Sequence, residues 1–169
     1  MVAFWLVPAR AERDRLASLI AGLAARFDAP VFEPHVTLFG GKIAEEKAAD
    51  VLQRCDFAMP IELEIAGVEF SEKFTMTLFV QFRSSQRASE LSAAIKTAAE
   101  IESDYEFNPH LSLLYKEMPE REKAAAALTI ELPFDRVAFD GVKAIVTPAG
   151  IKTRAEVEAW RTIGERRVR

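Results

Sequence analysis

A chain of 169 residues, half of them apolar, can bury a sizeable core and is short enough for one domain, or for two small lobes sharing a core. Its formal net charge of −4 excludes a broad basic surface of the kind that neutralises long RNA or DNA, but leaves room for a local pocket for a small anion. No stretch approaches the roughly 18 apolar residues of a membrane span. The single cysteine, Cys55, cannot close an internal disulfide, and Met1-Val2-Ala3-Phe4-Trp5 carries no basic leader, so a reducing cytoplasm is expected.

In chain order, residues 2–7 read as an apolar strand ending at Pro8. Leu16, Leu19, Ile20, Leu23 and Phe27 recur at helical spacing over 10–26, and Asp28-Ala29-Pro30 breaks the pattern. A strand is expected from about 34 to 39, stopping at Gly40-Gly41. Residues 44–55 put Ala48, Val51, Leu52 and Cys55 on one helical face, which gives Cys55 a core role. Met59-Pro60 opens an alternating strand through Ile61, Leu63 and Ile65; a second alternates from Phe74 to Phe82. Ser84-Ser85 caps a helix running to 101, with Ala88, Leu91, Ile95 and Ala98 inward. A strand follows near 110. Pro119 suits the first turn of a helix over 120–127, and Val137 to Thr147 reads as a strand interrupted at Asp140-Gly141. Pattern alone leaves 159–167 open between helix and strand, because Glu156, Val157 and Trp160 also suit a helix. The tail Arg166-Arg167-Val168-Arg169 reads as a frayed, solvated end. Half of this order repeats as helix, strand, helix, strand. The expectation is one α+β domain over 1–169, pseudo-twofold and bilobal, with two antiparallel sheets lining a central cleft and helices outside.

The repeat carries a shared string. Phe32-Glu33-Pro34-His35-Val36-Thr37-Leu38-Phe39 and Phe107-Asn108-Pro109-His110-Leu111-Ser112-Leu113-Leu114 match at Phe, Pro, His and Leu, and hold both histidines of the chain. Each histidine is followed two residues later by a hydroxyl. In a strand, residues i and i+2 share a face, so each string sets an imidazole beside a hydroxyl. Duplication of a structural unit would explain the repeated Pro and apolar positions. It would not explain a His and a hydroxyl kept on both polar faces. Two such strands facing one cavity supply two groups that titrate near neutrality and two neutral donors, which is equipment for acid–base chemistry on a phosphate ester. Metal binding is a poorer fit, with no His-x-x-x-His, no cysteine cluster and no aspartate-rich loop, so no metal or other cofactor is expected.

His35-Val36-Thr37-Leu38 and His110-Leu111-Ser112-Leu113 resemble the paired His-x-Thr/Ser signatures of the 2H phosphoesterase superfamily, which has the LigT-like fold. Phe4-Trp5-Leu6-Val7-Pro8, the first string and Pro109 to Tyr115 resemble its cyclic phosphodiesterase family, and the similarity runs on to a late Trp near 160. The resemblance implies hydrolysis of 2′,3′-cyclic nucleotides or ADP-ribose 1″,2″-cyclic phosphate. It also implies a 2′-monophosphate product, His110 as water-activating base and His35 as acid, although the near-identical strings do not by themselves distinguish the two roles. Thr37 and Ser112 would bind the phosphate. Tyr115 faces away from His110 in a regular strand, and a bend at the strand end would bring its hydroxyl to the phosphate. Trp5 is a candidate to stack on a base, a contact worth about 1–3 kcal/mol, against the alternative of a core indole. Phe74 is a candidate for the base's other face, and Lys73 for a second phosphate against the alternative of a solvated turn lysine. The closing strand near Trp160 is implied in the same way.

Three functions follow from this reading. The first is metal-independent opening of cyclic phosphates on small nucleotides by a monomeric enzyme. The second keeps the fold and acts on RNA ends as a LigT-like cyclic phosphodiesterase or ligase, which the acidic balance disfavours. The third is a non-catalytic nucleotide-binding module, which would have no need of two proton carriers.

Overall fold

The computed structural model describes residues 1–55, 60–101, 103 and 105–167. Met59, expected to open a strand, and Val168-Arg169 of the tail lie outside them. Strand β1 (Val2–Pro8) leads into α1 (Arg10–Phe27), which Asp28 ends in the left-handed conformation at φ 50°. Then come β2 (Val36–Gly41), α2 (Glu45–Arg54) and β3 (Ile61–Phe70). The second half repeats the order with β4 (Leu78–Phe82), α3 (Gln86–Ala99), β5 (His110–Leu114), α4 (Glu120–Leu128) and β6 (Arg136–Val146). Ser85 caps α3 by accepting from the Ala88 N–H, as expected. A short α5 (Arg154–Glu158) and β7 (Arg161–Arg167) complete the order, so 154–167 contains a helix and then a strand.

All strand pairs are antiparallel, in the order β1-β2-β5-β4-β3-β6-β7, and β1 also pairs with β6. Six strands therefore close into a ring. A twofold relation exchanges β1 with β4, β2 with β5 and β3 with β6, while α5 and β7 belong to one lobe alone. The two expected sheets are joined where β2 meets β5 at one register pair, Val36 opposite Leu111, and where β3 pairs with the first half of β6. The helices cross over: α1 packs against β5, and α3 against β2. Phe4, Phe39 and Phe139 are completely buried in the resulting core, each ring contributing about 1.5–3 kcal/mol by leaving water.

Four local expectations are corrected. Residues 74–76 form a 3₁₀ turn, and the strand begins only at Leu78. Thr77 Oγ1 donates to the Phe74 carbonyl and Ser71 Oγ to the Met76 carbonyl, so side chains close a turn that the alternating Phe74, Met76 and Leu78 concealed. Strand β2 continues through Gly40-Gly41, paired with Ala3 and Val2. Strand β6 runs unbroken through Asp140-Gly141. Val7 faces Gly141 and Pro8 faces Phe139, so Asp140 is an extra residue in a bulge where β6 changes partner from β3 to β1. Arg166 and Arg167 are not frayed. Arg166 donates to the carbonyls of Leu52, Gln53 and Cys55, capping the end of α2, and Arg167 pairs with Asp140. Cys55 is buried, in keeping with a core role.

Candidate active site

Both motif strands bulge at the same place. Between Phe4 and Trp5 the partner on β2 jumps from Phe39 to Thr37, leaving Leu38 as the extra residue. Between Leu78 and Phe79 the partner on β5 jumps from Leu114 to Ser112, leaving Leu113 extra. Each bulge sits three residues after its histidine. The buried Ser92 hydroxyl donates to the Leu38 carbonyl at 2.5 Å, so the first bulge is held by α3. A bulge reverses side-chain parity. Tyr115, three residues after Ser112, is thereby returned to the face of His110, and this is the bend expected at the strand end. The counterpart of Tyr115 in the first lobe is Gly40, which has no side chain.

One cavity of about 180 Å³ receives both motifs. Its wall includes His35, Thr37, His110, Ser112, Tyr115 and Trp5. Six of the eight residues singled out from the sequence thus meet there, and Lys73 is not on the wall. Nor is Phe74: it lines a neighbouring cavity with Lys116 and Lys123, its ring 6.0 Å from that of Tyr115, and Thr75 takes the place on the wall. The reason is the 3₁₀ turn, which rotates 74 and 75 out of strand alternation. The wall also contains Ile151 and Trp160 from the segment around α5; the resemblance reaches Trp160 without giving it a place in the site, and nothing in the sequence pattern points to Ile151.

The two imidazoles are held alike. His35 Nδ1 lies 2.7 Å from the Glu33 carbonyl, and His110 Nδ1 lies 2.8 Å from the Asn108 carbonyl. A carbonyl only accepts, so Nδ1 carries the hydrogen in each ring and Nε2 is the nitrogen left to exchange a proton. Trp5 stacks on His35 with centroids 3.6 Å apart and planes 10° apart. Phe79, the twofold counterpart of Trp5, meets His110 edge-on at 5.7 Å. Phe79 was not singled out from the sequence, because only the matched bulges make it equivalent to Trp5. Trp160 touches Trp5, His35, Phe32 and Tyr115 edge-on, and Phe32 stacks on Tyr115 at 4.0 Å.

Burial dominates the electrostatics. It pushes His35 down to about 4, against the Glu33 hydrogen bond, with the charges of His110 and Lys143 adding to the fall. It lowers His110 as well, opposed by the Asn108 hydrogen bond and assisted by the charge of Lys73. Lys73 itself is exposed at the start of the 3₁₀ turn and is not part of the cavity wall, as the solvated-turn alternative has it. Burial raises the Tyr115 phenol, opposed by a hydrogen bond with the Ser112 side chain, so the phenol stays neutral near physiological pH. These surroundings favour the neutral form of both imidazoles, and an anion between them would favour the imidazolium.

Two His-x-Thr/Ser strands related by a twofold and opening on one cleft define the architecture of a 2H phosphoesterase. The model of the 2′-5′ RNA ligase superfamily matches residues 6–146, and this chain belongs to that family. It is 24% identical over 164 residues to a cyclic phosphodiesterase of Arabidopsis thaliana, covering 94% of this chain and 90% of the relative. Among solved structures it resembles E. coli LigT complexed with 3′-AMP, with a TM-score of 0.62 and 13% identity over 99% of this chain and 97% of that one. It likewise resembles LigT complexed with ATP, with a TM-score of 0.61 and 15% identity over 99% and 96%. At those identities the structural likeness speaks for the fold. No helix among the described residues is long and apolar enough to cross a membrane, and no group of three or more His, Cys, Asp or Glu among them could hold a metal ion.

Proposed function

We propose that this protein hydrolyses 2′,3′-cyclic phosphates of small nucleotides, or the related ADP-ribose 1″,2″-cyclic phosphate, to a phosphomonoester, with one histidine as general base and the other as general acid and no metal. The observation that carries this reading is the pair of imidazoles anchored at Nδ1 by equivalent carbonyls on the wall of one cavity. Ring opening is an in-line displacement at phosphorus. A base takes a proton from water on one side, and an acid protonates the departing ribose oxygen on the other. Neutral Nε2 does the first and Nε2–H the second, so the pair must share one proton between them. Thr37, Ser112 and Tyr115 supply neutral donors to the non-bridging oxygens, where charge builds in the transition state. Trp5 backs His35, which favours the imidazolium once the anion is bound. The cavity size and the net charge of −4 support a small substrate over an RNA end. The name of the Arabidopsis relative supports the same class of reaction.

Phosphorus NMR of the protein with 2′,3′-cyclic AMP in excess chelator tests the reading. The cyclic phosphate resonance should convert to one monophosphate isomer at an undiminished rate. No conversion, or conversion that requires added zinc, overturns the proposal. Faster turnover of an oligonucleotide ending in a cyclic phosphate would move the substrate to RNA ends.

A further inference from the structure

The residue two before each histidine is the point where the duplicated strings differ in charge: Glu33 in the first, Asn108 in the second. Both give their carbonyl to the Nδ1 of their histidine. The side chain of each is in turn gripped by a residue of the sheet. Lys143 Nζ donates to both Glu33 carboxylate oxygens at 2.7 Å. Gln81 Nε2 donates to Asn108 Oδ1 at 2.9 Å and to the Pro109 carbonyl at 3.0 Å. Lys143 lies directly across from Trp5, the ring stacked on His35, and Gln81 directly across from His110. The Lys143 side chain is only 13% exposed, so its pair with Glu33 is well shielded from water.

We propose that Lys143–Glu33 and Gln81–Asn108 are a matched pair of latches, one charged and one neutral, that set the two histidines in their working orientation. Lys143, Glu33, Gln81 and Asn108 are positioning residues. The imidazole turns on the carbonyl that holds Nδ1, and that carbonyl stays in place because the side chain of its own residue is tied to the sheet. The charged latch places Lys143 across from the ring stacked on His35, where the neutral latch places Gln81 across from His110, so two near-identical strings produce chemically unequal imidazoles. The other charged or titratable groups around His35 are His110 on β5, Tyr115 beyond it, and Glu165 on β7, whose carboxylate is 3.8 Å from Lys143. This inference rests on the two-histidine reading for its kinetic consequence, but its structural test does not need turnover.

The chain has two histidines, so a proton–nitrogen NMR titration resolves each ring. Lys143→Met should raise the titration midpoint of His35 and leave that of His110 unchanged. Glu33→Gln, which keeps the cation and removes its partner, should not raise it. Gln81→Ala should disturb the Nδ1 signal of His110 and not that of His35. With 2′,3′-cyclic AMP, Lys143→Met should lower kcat about 10–100-fold with KM within threefold of the parent, as expected when a reacting group is misplaced while substrate binding is preserved. Lys143→Arg should recover most of kcat, and Lys143→Gln, which also removes the cation, serves in place of the methionine variant if that one fails to fold. If Lys143→Met leaves the His35 titration and kcat both within twofold of the parent, the latch is overturned. If the parent protein turns over no cyclic nucleotide while the NMR shifts appear, the latch stands and the proposed reaction falls.

Discussion

Ser112 Oγ donates to the Thr75 carbonyl at 2.6 Å, tying the second motif to the 3₁₀ turn that precedes β4. Its twofold counterpart Thr37 has no such tether: among the described residues no hydrogen bond holds Thr37 Oγ1. The two hydroxyls are therefore held unequally. On the proposed mechanism Thr37 Oγ1 would donate to the phosphate directly, whereas Ser112 would first have to release the Thr75 carbonyl. Thr37→Ala should lower kcat about 10²-fold, the usual loss for one preorganised donor, with thermal stability unchanged. Ser112→Ala should lower it comparably, and should also speed amide exchange across 71–77, because the turn loses an anchor. Unchanged kcat and KM in both variants would remove the hydroxyls from the phosphate site.

Either histidine replaced by Ala should lose about 10²–10⁴ in kcat. The double variant should lose far less than the product of the two, because acid and base act on one proton inventory. Steady-state rates of the three variants on 2′,3′-cyclic AMP check this. Full activity in either single variant would contradict a two-histidine mechanism.

The site was legible where chemistry and period coincide. An imidazole and a hydroxyl at i and i+2, twice, announce one polar face and need no tertiary information. What stayed hidden depends on register and on distance along the chain. The bulges at Leu38 and Leu113 change parity, and without them Tyr115 faces away and Phe79 has no relation to Trp5. The partnership of Glu33 with Lys143 spans 110 residues of chain within one lobe, so neither local string contains it. Phe74 misled because Phe74, Met76 and Leu78 stay in phase with a strand, while the bonds that bend the chain come from Ser71 and Thr77. The closed ring was hidden because its seams, β2 with β5 and β3 with β6, are each only a few residues long.

Lys123 on α4 is only 2% exposed, and its Nζ donates to the Ser71 carbonyl at 3.0 Å and to Glu72 at 2.6 Å. Ser71 in turn braces Met76, so a helix outside the ring holds the turn that supplies Thr75 to the cavity. Glu72 is well exposed, so losing Lys123 leaves no buried anion, and the cost comes from the Ser71 carbonyl and the vacated volume. Lys123→Met, which keeps the stem, should cost about 1–3 kcal/mol, lowering Tm by several degrees. Lys123→Ala should cost more. Calorimetry of the two variants checks the order, and equal Tm values for parent and methionine variant would contradict the brace.

Acid should destabilise this protein through His35. Its imidazole sits at about 4 in the folded chain, pushed down chiefly by burial, against about 6.5 when unfolded. Between those values the unfolded state binds more protons than the folded one, so stability rises with pH across this window and is lost as pH falls from 6.5 toward 4. The group contributes on the order of 3 kcal/mol above the window and nothing below it. His110, also lowered by burial, acts in the same direction. Tm should therefore fall between pH 7 and pH 5, and His35→Gln, which cannot titrate, should fall less steeply. The same displacement shapes catalysis. The acid limb of kcat/KM reports the free protein and should lie below pH 6.5, while the kcat profile should sit at higher pH because the bound anion favours the imidazolium. The limbs belong to the coupled pair, so the variant that flattens one of them assigns the base or the acid. A Tm independent of pH from 7 to 5 in the parent, or an acid limb of kcat/KM above pH 7, would contradict a buried, neutral His35.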